Sequence, residues 1–188
     1  MDYTFSEFCT DCVKALKADS GEAGCKEIQK HFDKILAHPE FVTEILGESP
    51  EPGRHIIHHD KETDLYVLAH VYDRAGSAAP HDHGPFWVIY GNATGYTDMK
   101  EYRRLDDGSK EGYAELEVSS EYRIEAGTSS IYYVGDIHSI DYPANSTFIR
   151  VVSGDAESGK NLRFNLENRT VEVQDRGKEK RIVSKVDG

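Results

Sequence analysis

Positive charge is in short supply in this chain. Lysine and arginine together number 22 against 34 aspartates and glutamates, for a formal net charge of −12. A surface of that sign repels phosphate backbones and anionic headgroups, so neither nucleic acid nor membrane is an expected partner. Long apolar runs are missing as well, and none approaches the length that a bilayer span needs. The opening Met1-Asp2-Tyr3-Thr4-Phe5 has no basic region followed by an apolar one, which predicts no secretory signal and a cytoplasmic location. Cysteine is confined to Cys9, Cys12 and Cys25, an odd set crowded into the first quarter of the chain. That excludes a disulfide framework and predicts reduced thiols. Cys9-x-x-Cys12 has no second pair and falls in helical sequence, so it is not read as a zinc or redox site. No repeat of fixed period is present. Strands do not alternate with helices, which argues against a parallel α/β sheet.

What is present falls into two textures within 188 residues, enough for one domain with a full core. Residues 4–47 read as helix. Thr4 or Ser6 is placed to cap the first helix, Phe5, Phe8, Val13 and Leu16 give a loose stripe with a period near 3.6, and Gly21 and Gly24 break it. A second helix carries Ile28, Phe32, Ile35 and Leu36; Pro39 interrupts, and residues 41–46 make a last short turn or two. Residues 48–53, with Pro50 and Pro52, form a linker. Beyond it, segments 56–57, 65–72, 86–90, 96–102, 114–118, 131–134, 148–152, 162–166 and 170–173 read as short strands. They are rich in Val, Ile, Tyr and Phe and separated by turns, with hairpin loops at 106–109 and 157–160. This predicts an all-β sandwich or barrel over residues 49–188. Residues 1–48 are expected to pack against it, because two short helices with narrow stripes bury too little surface alone. The charged residues from Arg176 onward read as an edge strand or a mobile tail. His31, His38, His58 and His59 read as surface residues.

The chemistry gathers in Pro80-His81-Asp82-His83-Gly84-Pro85-Phe86-Trp87-Val88-Ile89-Tyr90-Gly91. His81 and His83 stand two apart, the strand spacing that sends both imidazoles to one face. A third histidine closes Tyr133-Val134-Gly135-Asp136-Ile137-His138. Three neutral imidazoles that converge on one point make a metal site, suited to zinc, copper, iron or nickel. A His-x-His pair alone carries little weight, so its surroundings decide.

Those surroundings resemble the cupins. Gly76-Ser77-Ala78-Ala79-Pro80-His81-Asp82-His83, followed by Val88 and Gly95, is similar to the first cupin motif, which runs glycine, His-x-His, an acidic ligand, then glycine. Gly127, Gly135 and His138 are spaced like the second motif. The resemblance implies an all-β cupin double-stranded β-helix, a jelly-roll barrel, with an N-terminal α-helical segment. Two positions depart from the pattern: Val88 stands where most cupins carry a metal-binding glutamate, and Tyr133 where a proline is usual. The remaining ligand set, His81, His83 and His138, is similar to that of the cysteine dioxygenase group and its thiol and β-diketone dioxygenase relatives, which use ferrous iron and O₂. Fe(II) is therefore the implied cofactor, with zinc, nickel and manganese open. The implied activity is non-haem iron dioxygenation of a small thiol or carboxylate. The cysteine–tyrosine crosslink of some cysteine dioxygenases cannot form here, since the two positions hold Val88 and, nearest, Val152, and L-cysteine itself is not the expected substrate.

Further pocket residues follow from alternation and from the resemblance. An inward Phe148 brings Arg150 and Val152 inward too, and an inward arginine near a cationic metal calls for an anion, such as a substrate carboxylate. The resemblance offers Arg54 as a second carboxylate-binding candidate, and places His70 and Tyr72 inward. His70 is then an acid–base group, a fourth ligand, a support for the ligands or simply a core histidine. Tyr90 shares parity with Val88 and faces the cavity, which turns Trp87 and Ile89 the other way. Tyr132 or Tyr133 is placed to bring a hydroxyl near the metal. The expected partners are a small-molecule substrate and O₂, with a homodimer left open. Two other functions fit the same ligands: a zinc or other-metal cupin hydrolase, isomerase or lyase, and a small-molecule-binding cupin without turnover.

Overall fold

The computed structural model describes residues 3–156 and 159–175. The expected loop at 157–160 lies partly, and the charged tail from Arg176 wholly, outside the described residues. Three helices come first: α1 (Phe5–Ala18), α2 (Glu22–Leu36) and α3 (Glu40–Leu46). Thr4 starts α1 with a capping box, its hydroxyl accepting from the Glu7 amide (3.2 Å) while the Glu7 carboxylate accepts from the Thr4 amide (2.9 Å). The buried stripe of α1 is Phe8, Cys9, Cys12 and Ala15. Val13, expected in it, is only half-buried, and with Cys9 it lines a recess beside Ile57 and His58. Gly21 is the N-cap of α2, but Gly24 lies inside that helix: a Cβ there would run into the Asp19 carbonyl, so this glycine permits a close turn rather than ending a helix.

Eleven strands follow: β1 (Gly53–Asp60), β2 (Leu65–Tyr72), β3 (Gly76–His81), β4 (Val88–Thr94), β5 (Tyr96–Arg104), β6 (Leu116–Glu125), β7 (Ser129–Tyr132), β8 (Ile137–Tyr142), β9 (Ser146–Val152), β10 (Lys160–Asn165) and β11 (Thr170–Asp175). They form two antiparallel sheets, β1-β2-β9-β4-β7 and β11-β10-β3-β8-β5-β6. This double-sheet jelly roll, with helices ahead of it, is the cupin-type double-stranded β-helix. Two strands, β3 and β8, were not among the segments expected from composition. The segment expected at 114–118 instead opens β6, because Ala114 and Glu115 bond to Arg169 and Asp106 across a long connection.

Alternation along the strands sorts the side chains into layers. Ile149 and Val151 of β9, Val67 and Ala69 of β2 and Trp87 and Ile89 by β4 pack outward against Phe8, Ile28, Phe32 and Leu36 of the helices. Phe148 and Val152, with Leu68, Val88 and Tyr90, face inward toward Met99, Ile124 and Ile140 of the other sheet. The helices sit close to the five-stranded sheet: a Cβ on Gly91 would lie 2.9 Å from the Phe32 ring and overlap Leu36. Cys9, Cys12 and Cys25 are free thiols buried in this layer, and burial pushes Cys9 up to about 12 and Cys25 up to about 11. No helix among the described residues is long and apolar enough to cross a membrane.

Candidate metal centre

His81 ends β3, and His83 lies just beyond the strand, on the connection to β4. His138 is the second residue of β8 and the direct register partner of His81. In the β3–β8 ladder the register slips between Ala78 and His81, so one extra residue is accommodated there. That bulge sets the parity: Ala78 and His81 both face the interior although they are three apart, an odd spacing that a regular strand would send to opposite faces.

His83 is off the strand, so something other than pleating must aim it. Asp82 does this. Its carboxylate accepts from the Leu162 amide (2.6 Å) and the Gly84 amide (3.1 Å), while its backbone N–H donates to the Leu162 carbonyl (3.1 Å) and its carbonyl accepts from Asn161 Nδ2 (3.1 Å). The residue between the two histidines is thereby tied to β10, and it is buried along with them. Gly84 completes the turn at φ 61°, where a side chain would be strained and would also meet the Lys160 carbonyl.

The donor atoms of His81, His83 and His138 all lie within 4.8 Å of one another, and no carboxylate or thiol among the described residues joins them. His83 Nε2 and His138 Nε2 are 3.3 Å apart. Two metal–nitrogen bonds of roughly 2.1 Å meeting at tetrahedral or octahedral angles separate their nitrogens by about 3.0–3.4 Å, so the pair is spaced as two ligands of one ion. His81 Nδ1 donates to the Ala79 carbonyl (2.8 Å), which leaves its Nε2 lone pair for a metal. All three rings are buried, His138 completely. The residues fit a divalent transition metal, and because every donor is neutral the ion would keep its full charge.

Aromatic groups wall the centre. The Tyr132 ring lies 4.1 Å from that of His138, and Tyr90 stands over both His83 and His138 at 5.8 and 5.6 Å, its hydroxyl 3.5 Å from His83 Nε2. Tyr132 faces inward and Tyr133 packs toward the helices. The Tyr132 hydroxyl meets that of Tyr122 at 2.6 Å, and Tyr122 donates to the Glu101 carboxylate at 2.7 Å. Burial first, then Tyr122, holds the Tyr132 phenol well above its ordinary pKa, so it stays protonated. Val88 and Val152 are direct partners across β4 and β9 and fully buried on the inner face.

Arg150 points into the interior. It is fully buried and in register with Leu68 on one side and Tyr90 on the other. His70 is buried but stands one ring away from the centre: it stacks on Phe148 (4.5 Å, 15°), and Phe148 in turn meets Tyr90. Arg54 is the register partner of His70 on β1, and Tyr72 stacks on Tyr142 at 4.4 Å. Burial raises the Tyr72 phenol, and the nearby Arg54 charge offsets part of that. His70, Tyr72 and Arg54 thus share the inner end of the barrel and are not among the converging donors. Asp82, Asn161, Tyr122 and Glu101 went unremarked in the sequence. Each acts through a partner many residues away, and only the position of Asp82 inside His-x-His offered a signal. Among the surface histidines expected, His38 and His59 are exposed, while His31 and His58 are half-buried.

No protein-family model and no curated protein matches this sequence. Solved structures do resemble the chain. KdgF from Halomonas sp. is 19% identical over 56% of this chain and 84% of its own, with a TM-score of 0.40. An uncharacterized conserved protein with a double-stranded β-helix domain from Klebsiella pneumoniae is 19% identical over 61% and 83%, at 0.43. Hydroquinone 1,2-dioxygenase PnpCD, solved with Cd²⁺ and 4-hydroxybenzonitrile, is 7% identical over 60% and 70%, at 0.44. At such identities and scores these likenesses say nothing about activity.

Proposed function

We propose that this chain is a metal-dependent enzyme of the cupin type, a non-haem Fe(II) dioxygenase acting with O₂ on a small thiol or carboxylate. The observation that carries the reading is the donor set: three buried neutral imidazoles with no carboxylate among them. A ferrous ion held by His81, His83 and His138 would supply open positions for an anionic substrate and for dioxygen, with its charge not reduced by any ligand. The chain's own residues then bind and orient. In this reading Arg150, inward beside Tyr90, takes an acidic group of the substrate through its planar fork, and Arg54 is the alternative anchor. Tyr90 offers a hydroxyl beside His83, and Val88, Val152 and Phe148 keep the surrounding wall apolar and water excluded.

The test is oxygen consumption. Anaerobically purified protein is analysed for metal, loaded with Fe(II), and offered a panel of thiols, carboxylates and β-diketones at an oxygen electrode. Uptake stoichiometric with product supports the reading. Zinc at full occupancy without oxygen uptake points instead to a hydrolase, isomerase or lyase, since three histidines also suit a zinc-bound water.

A further inference from the structure

Between α1 and β1 lies a recess of about 520 Å³, the size of a small-molecule pocket. Phe5, Cys9, Val13 and Lys17, every fourth residue of α1, stand along one side of it as a single stripe of the helix. Ile57 and His58 close the other side. Neighbouring residues of a regular strand point to opposite faces, and a bulge in β1 lifts that restriction. The register slips between Ile56 and His58: Ile56 opposes Leu68, which faces the barrel interior, while His58 opposes Val67, which packs toward the helices. The bulge thus sends the His58 imidazole to the helix side, where it stands perpendicular to the Phe5 ring at 6.4 Å. His58 Nε2 is buried and has no hydrogen-bond partner among the described residues, a deficit that costs free energy until something bonds it. Burial also lowers the pKa of this ring, so it stands neutral with one N–H to give.

We infer that this recess is a second ligand site for a small carboxylic acid with an apolar tail. None of His81, His83 and His138 lines it, so it is separate from the metal centre. Phe5, Cys9, Val13 and Ile57 take the tail, and the charge on the lining selects the head. In a chain of net charge −12, two ammoniums, Lys14 and Lys17, face this one recess. They are paired with Asp11 (3.1 Å) and Glu62 (2.7 Å), but exposed surface pairs of this kind hold little free energy, so a bound anion can share or replace those partners. Asp60 also lines the recess, and its Oδ1 accepts from the Thr63 amide (2.8 Å) and hydroxyl (2.7 Å), which ties it into its own turn. A carboxylate has two oxygens and accepts from the imidazole and from an ammonium together. An alcohol on the same tail satisfies the imidazole and leaves the ammonium charge unmet.

Octanoate and 1-octanol are the probes, since they share a tail and differ in the head group. Binding of each to the Zn(II)-loaded full chain is measured by calorimetry, with backbone amide shifts to locate the acid. A wild type that takes up no metal is measured metal-free, because no metal donor lines the recess. The wild type should bind octanoate at least about fivefold more tightly than 1-octanol, within what one hydrogen bond to a charged group supplies. The largest shifts should fall in α1 and β1. Val13→Phe fills the recess and should abolish binding of both probes. Lys14→Gln together with Lys17→Gln changes two exposed side chains, so folding is kept, and should erase the preference while 1-octanol binds as before. His58→Phe should weaken octanoate alone. A smaller preference in the wild type, or no octanoate binding, overturns the proposal. So does octanoate binding that survives in folded Val13→Phe, which places the acid elsewhere, or a full preference in the double lysine variant. A dimer in sedimentation that Val13→Phe dissociates, with no octanoate bound, gives the recess to a second copy of the chain and overturns it as well.

Discussion

His81 and His138 are direct register partners in the β3–β8 ladder, and their rings meet edge to face with centroids 4.8 Å apart. Two of the three metal donors are thus fixed by backbone hydrogen bonds, and the third, His83, by the tether at Asp82. Removing a donor should therefore empty the site without unfolding the barrel. His138→Ala is expected to lower metal affinity by more than the roughly 10–100-fold that loss of an outer hydrogen-bond partner costs. Equilibrium dialysis with Fe(II) or Zn(II) checks it, and full occupancy at micromolar metal would show that the ligands are misassigned.

Asp82→Ala should act differently. It leaves the Leu162 and Gly84 amides without their acceptor and frees the His83 connection from β10. The expected cost is about 1–3 kcal/mol of stability in urea unfolding, together with weaker metal binding although all three donors remain. Asp82→Asn keeps one acceptor oxygen and should fall between. A variant with wild-type metal affinity would mean that His83 needs no tether.

Gly91→Ala tests the docking of the helices. The added methyl meets Phe32 and Leu36 of α2, and overpacking of this kind costs about 1–3 kcal/mol. Because the methyl points away from the metal, stability should fall while metal affinity holds. Loss of metal with unchanged stability would mean that the helices shape the centre.

Tyr132→Phe keeps the ring against His138 and deletes the hydroxyl that joins Tyr122. We expect metal binding to persist and stability to drop by about 0.5–1.5 kcal/mol, one hydrogen bond's worth. A large loss of metal would assign the hydroxyl a role at the centre itself.

Asp106 provides a pH test far from the metal. The Arg104 guanidinium, aided by the Glu115 amide, holds its carboxyl well below the ordinary 3.8. Its stabilising contribution is full above the unfolded pKa and disappears as pH falls through the folded one. Melting temperatures of wild type and Asp106→Asn should therefore differ at pH 7, begin to converge only below about pH 4, and meet in strong acid. A gap that stays constant into strong acid would contradict the linkage.

The sequence revealed the parts of the fold that depend on periodicity. The inward parity of Phe148, Arg150 and Val152, and the outward turn of Trp87 and Ile89, follow from alternation and hold in three dimensions. What escaped was the character of β3 and β8, the strands that carry His81 and His138. Gly-Ser-Ala-Ala-Pro has no β-branched residue, so β3 lacks strand propensity and is held by its neighbours on both sides. Asp82 escaped because its partner Leu162 is remote in the chain. The Cys9, Cys12 and Ala15 stripe escaped because small side chains carry little hydrophobic signal.

The bulge between Ala78 and His81 makes this centre a matter of counting. Three steps along β3 match two along β8, so the extra residue is what keeps His81 opposite His138. A homologue lacking one residue in Ala79-Pro80 would pair without the bulge, and its first histidine, two residues from Ala78, would still face inward. A homologue of unchanged length whose strand ran straight there would read His-x-His with the same glycines nearby, yet turn its first histidine out of the barrel and keep only two donors; catalogues built on residue identity would score it as a metal binder all the same.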